Sequence, residues 1–424
     1  MEKWFLIYLG LLLHAFGMAQ SKGDADTINN ELSVAFQLRP RVEYRNGALF
    51  PKSDDSEANG IINNRARLST QYRHNKLSFG LSVQHVGLWG KDASIYKDDH
   101  FTLNEAWVNM VFGNGFFAKL GRQTLVYDNE RLLSAIDWNI SGRFHNALKL
   151  GYETSTNQLH LIAAFDYASG DKPYKNLQTA WYHHIVNKEF SLSFIAINIG
   201  RKAGNAGETR LTTRYLQTAG TNFLYKPGNV SVYGTLYYQT GYTVTNRKVS
   251  AFMWALNANY QINPAWKLLI ATDYLSGNKA NSHAGSTKSN AFDPLYGSHH
   301  KYYGTMDYFY ASPFINGLAP GLWDNQAGVT FNPSSNVSLL FNYHYFLTAT
   351  DVYVKNKKQP KALGSEIDLQ VNWDILKDIS LSAGYSTMLG TNTMKAVKGG
   401  NPSRWQDWVW LSVNINPKVF ISKW

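Results

Sequence analysis

Apolar and polar residues alternate in this chain with a period of two, and the alternation restarts, segment after segment, from Leu32 to Phe420. Leu32, Val34, Phe36, Leu38, Val42 and Tyr44 fall on one side of an extended backbone, and Ser33, Ala35, Gln37, Arg39, Arg41, Glu43 and Arg45 fall on the other. Successive side chains of a strand point to opposite faces, so the pattern predicts a strand and excludes an amphipathic helix. Val230, Val232, Gly234, Leu236 and Tyr238 repeat it against Ser231, Tyr233, Thr235, Tyr237 and Gln239. Ile367, Leu369, Val371 and Trp373 repeat it again against Glu366, Asp368, Gln370, Asn372 and Asp374. No heptad, helical repeat or linker-like break interrupts the series.

Carried along the chain, the pattern predicts eighteen strands, near 32–45, 62–74, 76–90, 100–112, 116–126, 143–153, 158–169, 176–187, 189–200, 210–226, 229–242, 248–262, 265–276, 322–332, 335–349, 362–375, 378–390 and 405–420. Their connections are read as alternating without exception between tight turns, such as Gly113-Asn114-Gly115 and Asn187-Lys188, and long polar loops, such as Gly277 to Gly321. Tyr302 to Tyr310 resembles a nineteenth strand, but counting it would break that alternation, so it is assigned to a loop able to fold inward. A soluble β-sandwich would also alternate. Strands of ten or more residues, in strict hairpin order and with aromatics near their ends, instead predict an all-β transmembrane antiparallel barrel of about eighteen strands, with short periplasmic turns and long extracellular loops.

Composition agrees. Aromatic residues are 14% of the chain and charged residues only 17%, where soluble domains carry about a quarter. Mean hydropathy is −0.32, too polar for a helical membrane protein but suited to strands with one face in lipid and one in water. Met1 to Ala19 reads as a cleaved signal peptide: Lys3, the apolar run Trp4 to Gly17, then small residues at Gly17 and Ala19. Residues 20–424 are expected to form a single outer-membrane barrel domain. The chain has no cysteine, which removes disulfides, thiolate metal sites and a Cys nucleophile from consideration. Its formal charge of +11 survives signal removal because Glu2 and Lys3 cancel. Export argues against a nucleic-acid partner, leaving anionic lipid or an anionic solute.

Placing the apolar set in lipid sends Arg39, Arg41, Glu43 and Arg45 inward, with Arg65, Arg67, Gln71 and Arg73 on the next strand. The inward placement is close to obligatory, since a cation facing hydrocarbon at the midplane of a barrel costs about 2–4 kcal/mol. Glu43, Glu105, Asp137, Glu366 and Asp368 are the acids available to compensate. For any one Arg, an internal ion-pair lattice bracing the barrel is as good an account as solute binding. The surplus of cations as a set favours attraction of anions, and guanidinium groups hold carboxylates through paired hydrogen bonds. The segment from Tyr127 to Arg143, with Asp128, Glu130, Arg131, Asp137 and Arg143, is either a constriction folded into the lumen or a solvated surface loop.

Catalytic readings find little support. His183-His184 and His299-His300 are adjacent pairs, and neighbours on a strand face opposite ways, so neither is a metal site. No cofactor or metal is expected, and no spacing matches a catalytic motif. Asp54, Asp55 and Glu57, and Asp98 and Asp99, are acidic loop tips open to Ca²⁺ or simply to solvent.

Several blocks together resemble the alginate export family of outer-membrane barrels: Leu38 to Tyr44, Leu103 to Trp107, Leu120-Gly121-Arg122-Gln123, Tyr127 to Leu132, Asp137-Trp138, Arg143-Phe144 and Gly364 to Leu369. The resemblance spans most of the mature chain. It implies an eighteen-stranded barrel that passes an anionic polysaccharide through a basic pore, and it adds Arg122, Gln123, Arg131 and Arg143 to the candidate pore residues. After Phe144 the family tends to carry Asp and Gly, where this chain has His145, Asn146 and Ala147. A pore acid is therefore expected to be absent there and selectivity to differ. Val409 to Phe420 closes the chain on an aromatic, as such barrels commonly do. The expected function is a passive channel for an anionic polysaccharide or oligosaccharide, with outer-membrane lipid and barrel-assembly machinery as further partners. An anion-selective porin for small solutes and a surface-binding or adhesion barrel are the alternatives.

Overall fold

Turn chemistry sets the register of the hairpins. Asn114 and Gly115 both have positive φ, 50° and 85°, which is what a two-residue turn between twisted strands requires and what Asn-Gly tolerates best. Asn75, with φ 50°, begins the equivalent turn one hairpin earlier. The computed structural model describes residues 30–90, 101–166, 174–203, 212–279 and 286–424. The signal expected at 1–19 and the acidic pair Asp98-Asp99 lie outside them.

The strands are β1 (Asn30–Asn46), β2 (Asn59–His74), β3 (Leu77–Leu88), β4 (Phe101–Gly113), β5 (Phe116–Gln123), β6 (His145–Glu153), β7 (Asn157–Phe165), β8 (Asn176–Ile185), β9 (Phe190–Ala203), β10 (Thr212–Tyr225), β11 (Val230–Tyr242), β12 (Lys248–Gln261), β13 (Trp266–Leu275), β14 (Leu322–Ser334), β15 (Val337–Leu347), β16 (Ala362–Leu376), β17 (Ile379–Gly390) and β18 (Asp407–Ile415). Each pairs antiparallel with the next. β1 pairs with β18 as well as β2, so the sheet closes into an eighteen-stranded barrel without an edge. The two ends of the described chain meet on the short-turn side, where Asn30 N donates to Trp424 O at 2.9 Å.

Three expectations change. The last strand does not run unbroken through 405–420: it stops at Ile415, before Asn416-Pro417, and resumes as Lys418–Lys423 along the start of β1. Pro417 lacks the N–H needed to continue the ladder. The connection between β11 and β12 is only five residues, 243–247, so long and short connections do not alternate strictly. Lys288-Ser289, from the long 276–321 loop, runs parallel to Lys248-Val249 and occupies that side instead. β5 ends at Gln123 and β6 begins at His145, which lengthens the intervening loop to 124–144.

The outer surface is apolar, with Ile270, Leu120, Leu81 and Leu236 largely exposed, as a lipid-facing wall demands. Inside, the hydrophobic core forms where two loops and the short helix Asn392–Lys398 pack against the barrel wall from β6 round to β18. Leu125, Leu132 and Leu133 of the 124–144 loop, and Tyr303, Met306 and Phe309 of the 276–321 loop, are buried with Ile195, Ile197 and Ile199 of β9, Met253 of β12 and Phe346 of β15. The 302–310 segment forms no strand and lies within the barrel.

Candidate functional site

The inward row of β1 and β2 carries the guanidinium groups, because alternation puts Leu38, Val42, Ile62 and Leu68 on the other side. Register sets Arg39 directly across from Arg65, and Gln37 across from Arg67. Two like charges at paired positions repel, and Asp137, reaching down from the 124–144 loop, bridges them: its two oxygens lie 2.9 Å from Arg39 Nη1 and 3.0 Å from Arg65 Nη2. Partial desolvation opposes ionisation of Asp137, but Arg39 and Arg65 outweigh it and hold its carboxyl below the usual range. Asp137 remains 64% exposed, so this end of the loop borders open lumen.

Most other bonds from this wall to the loop go to neutral carbonyls. Arg39 donates to Asp137 O at 2.7 Å, Arg41 to Trp138 O at 2.9 Å, Arg65 to Ile140 O at 3.4 Å and Gln84 of β3 to Ser141 O at 2.8 Å. Arg67 bonds the Gln84 side-chain oxygen at 2.7 Å. Toward the extracellular end, Glu43 accepts from Arg41, Arg45, Asn63 and Trp408. Arg39, Arg41, Arg45 and Arg65 thus share two carboxylates in direct ion pairs, Glu43 and Asp137, with Asp307 and Glu105 acting on Arg41 and Arg67 from further off, and the five guanidinium groups keep a positive surplus. Trp138 stacks on His300 of the second loop at 4.1 Å and meets the Arg41 guanidinium at 4.2 Å.

The opposite side is anchored by one buried charge pair and by one acid held by neutral donors. Arg131 binds Asp273 of β13 through two bonds, 2.6 and 2.9 Å, with almost no exposure of either side chain. Asp128, at φ 52°, accepts from Trp181, Ser193 and Asn222 on β8, β9 and β10. Burial pushes the Asp128 carboxyl up, and the Ser193 and Trp181 bonds partly offset this. The two loops join each other where Ser134 N donates to Tyr296 O and Tyr296 N to Leu132 O. Gly304 lets the second loop approach β16: a Cβ there would stand 2.6 Å from Glu366 Oε2, and Met306 N donates to Glu366 at 2.8 Å.

Not every candidate faces the lumen. Arg122 and Gln123 are consecutive on β5 and take opposite sides. Gln123 is fully buried on a backbone carbonyl of β6, Ala147 O at 2.9 Å, while Arg122 falls on the side of Leu120 and donates to Asn104 O. Arg131 and Glu366 are enclosed by the loops rather than lining an open path. Asp368 is also buried, bonded to Thr305 at 2.5 Å and near His344, whose other nitrogen meets Asp324 at 3.0 Å. Arg73 lies near the periplasmic turn, paired with Glu31. Glu105 caps the start of the first loop through Thr124 N, and Arg143 sits over the Tyr296 ring at 5.2 Å. His145, where the family tends to have an acid, is buried against Tyr174 at 2.9 Å. His183 and His184 do face opposite ways, and among the described residues no three His, Asp or Glu are placed to hold a metal.

Alternation also places Lys119 and Lys149 inward, directly opposite each other on β5 and β6, one over Trp107 at 3.7 Å and the other near Tyr127 at 5.4 Å. Neither is a candidate from the family resemblance, yet each lies between apolar neighbours, Ala118 and Leu120 or Leu148 and Leu150, and that alternation is the sequence signal for their inward placement.

No individually curated protein matches the sequence. Among solved structures, the chain is similar to OpdL of Pseudomonas aeruginosa (TM-score 0.62, 12% identity, 92% of this chain and 99% of that one). It is also similar to the outer membrane protein OprD of the same organism (0.58, 12%, 91% and 93%) and to OccAB1 of Acinetobacter baumannii (0.58, 12%, 95% and 100%). At such identities the likeness establishes the fold alone. The model of the alginate export family matches residues 30–403. Closed barrel, inward loops and family match converge: the chain belongs to the alginate export family and is an outer-membrane channel barrel.

Proposed function

We propose that this protein is a passive outer-membrane channel for an anionic oligosaccharide or polysaccharide, which moves along the Arg side chains of β1 and β2. The observation that carries the reading is the Arg39–Arg65 pair, answered by a single exposed carboxylate, Asp137, and otherwise by neutral carbonyls. Arg39, Arg45 and Arg67 stay partly exposed on this wall, while Arg41 and Arg65 are buried behind them, and partly exposed guanidinium groups can exchange carboxylates among several weak sites, which conduction requires. In this reading the chain is exported with removal of residues 1–19, is inserted by the barrel-assembly machinery and sits in outer-membrane lipid.

One observation favours a second reading, an anion-selective porin for small solutes. Two inward loops occupy much of the lumen and are fixed in part by a buried pair, which narrows the passage. Planar-bilayer recording separates the two. A polysaccharide channel shows an anion-selective current that oligo-uronates block; a small-solute porin shows anion selectivity without that block. Arg39→Ser, Arg41→Ser, Arg65→Ser and Arg67→Ser combined should abolish or reverse the anion preference, and unchanged selectivity would remove the ladder from the mechanism.

A further inference from the structure

Beneath the first inward loop the wall contains a cavity of about 280 Å³ that has no Lys or Arg among its lining residues. Gln158, His183, Asn222 and Tyr233 come from the short-turn ends of β7, β8, β10 and β11, so the cavity faces the periplasmic mouth. Asp128 roofs it from the loop, and Trp181 supplies an aromatic surface.

The lining divides into spent and unspent groups. Asp128 already accepts three bonds, 3.1 Å from Trp181, 2.5 Å from Ser193 and 2.9 Å from Asn222, so its charge is committed to holding the loop. The Gln158 amide, the His183 ring and the Tyr233 hydroxyl have no hydrogen-bond partner among the described residues, although they border the same space. Each can both donate and accept. Three such groups beside the Trp181 and Tyr233 rings match a ring with alternating hydroxyls and an apolar C–H face. The volume lies just under the roughly 300–1,000 Å³ of pockets for drug-sized ligands, which suits one sugar ring. A carboxylate would meet Asp128, and the Arg131 guanidinium beyond Tyr233 is already held by Asp273 through two bonds; an ammonium would find three of the roughly four acceptor positions of Asp128 taken.

We propose that this cavity is a periplasm-facing subsite for the hydroxyl face of an uncharged pyranose unit, separate from the Arg side chains of β1 and β2. The inference rests on the chain being a channel and not on its anion selectivity. Solutes would then be held at the mouth by their hydroxyls before any acidic group met the cationic wall.

The test uses the full barrel in detergent with maltotriose as probe and saturation-transfer NMR as readout, which needs no current. The native protein should bind, and Gln158→Leu combined with Tyr233→Phe, which touches none of the groups holding Asp128, should weaken binding at least tenfold. Arg39→Ser with Arg65→Ser should leave it unchanged, which keeps the subsite distinguishable from the ladder. In bilayers, maltotriose should interrupt current only from the periplasmic side and not in the Gln158/Tyr233 variant. Equal affinity in native and variant, loss of binding in the ladder variant, block from either side alike, or binding of argininamide in place of maltotriose would each overturn the assignment.

Discussion

The two sides of the lumen use the same residue types to opposite ends. On the β8 to β16 side, the anchors are matched: Arg131 is buried with Asp273, and Asp128, at the edge of the cavity, is held by three wall donors. On the β1 and β2 side, guanidinium groups outnumber carboxylates, their loop contacts are mostly carbonyls, and the shared acid is exposed. Buried and matched charges fix a loop. Arg41 and Arg65 are buried like Arg131, so the capacity for a solute lies with the partly exposed Arg39, Arg45 and Arg67 beside the exposed Asp137. Stoichiometry and water, not residue identity, separate structure from transport here.

The largest expected effect tests the matched side. Arg131→Leu strands Asp273 without a partner, a loss of about 3–5 kcal/mol for a buried pair. The loop should release, with higher single-channel conductance and faster proteolysis near 124–144. Arg131→Leu with Asp273→Leu should recover most of the native behaviour, and failure to recover would show that packing rather than the pair holds the loop. Asp128→Ala should cost less, about 1–3 kcal/mol for the bonds lost by buried wall donors. Its signature is a noisier open level in bilayer recordings, and an unaltered noise spectrum would mean the loop tip needs no anchor.

Asp137→Asn is smaller still and acts on the other side. The loop keeps its carbonyl bonds to Arg39, Arg41 and Arg65, while the wall gains one net positive charge. Anion over cation permeability should rise by about twofold, the fraction of a kcal/mol typical of an exposed pair, as measured by reversal potential. A fall would reverse the sign assigned to this wall. Acidification should reproduce the effect weakly. Because the Asp137 pKa is depressed, its bridge is complete above the ordinary Asp value of about 3.9 and is lost only as pH falls through the lower folded value. Selectivity should therefore hold from pH 7 to about 5 and rise only below about 4, with no such step in Asp137→Asn.

Much of this fold was legible because alternation is local. Ile367 to Trp373 declare an outer face wherever the strand ends up, and Asn114-Gly115 declares its turn from two residues. The same alternation separates Arg122 from Gln123 and marks Lys119 and Lys149 as inward. The break at Pro417 was likewise visible as a missing donor.

The loops were not legible in this way. Arg39 finds Asp137 across 98 residues, and Arg131 finds Asp273 across 142. Neither spacing has a period or a turn to announce it. The sequence by itself determined a closed barrel with the Arg side chains of β1 and β2 turned from lipid, because hydrocarbon penalises any other facing. Only the tertiary structure decided which charges stay open to a passing solute, because that depends on where two long loops come to rest and which partners they exclude from water.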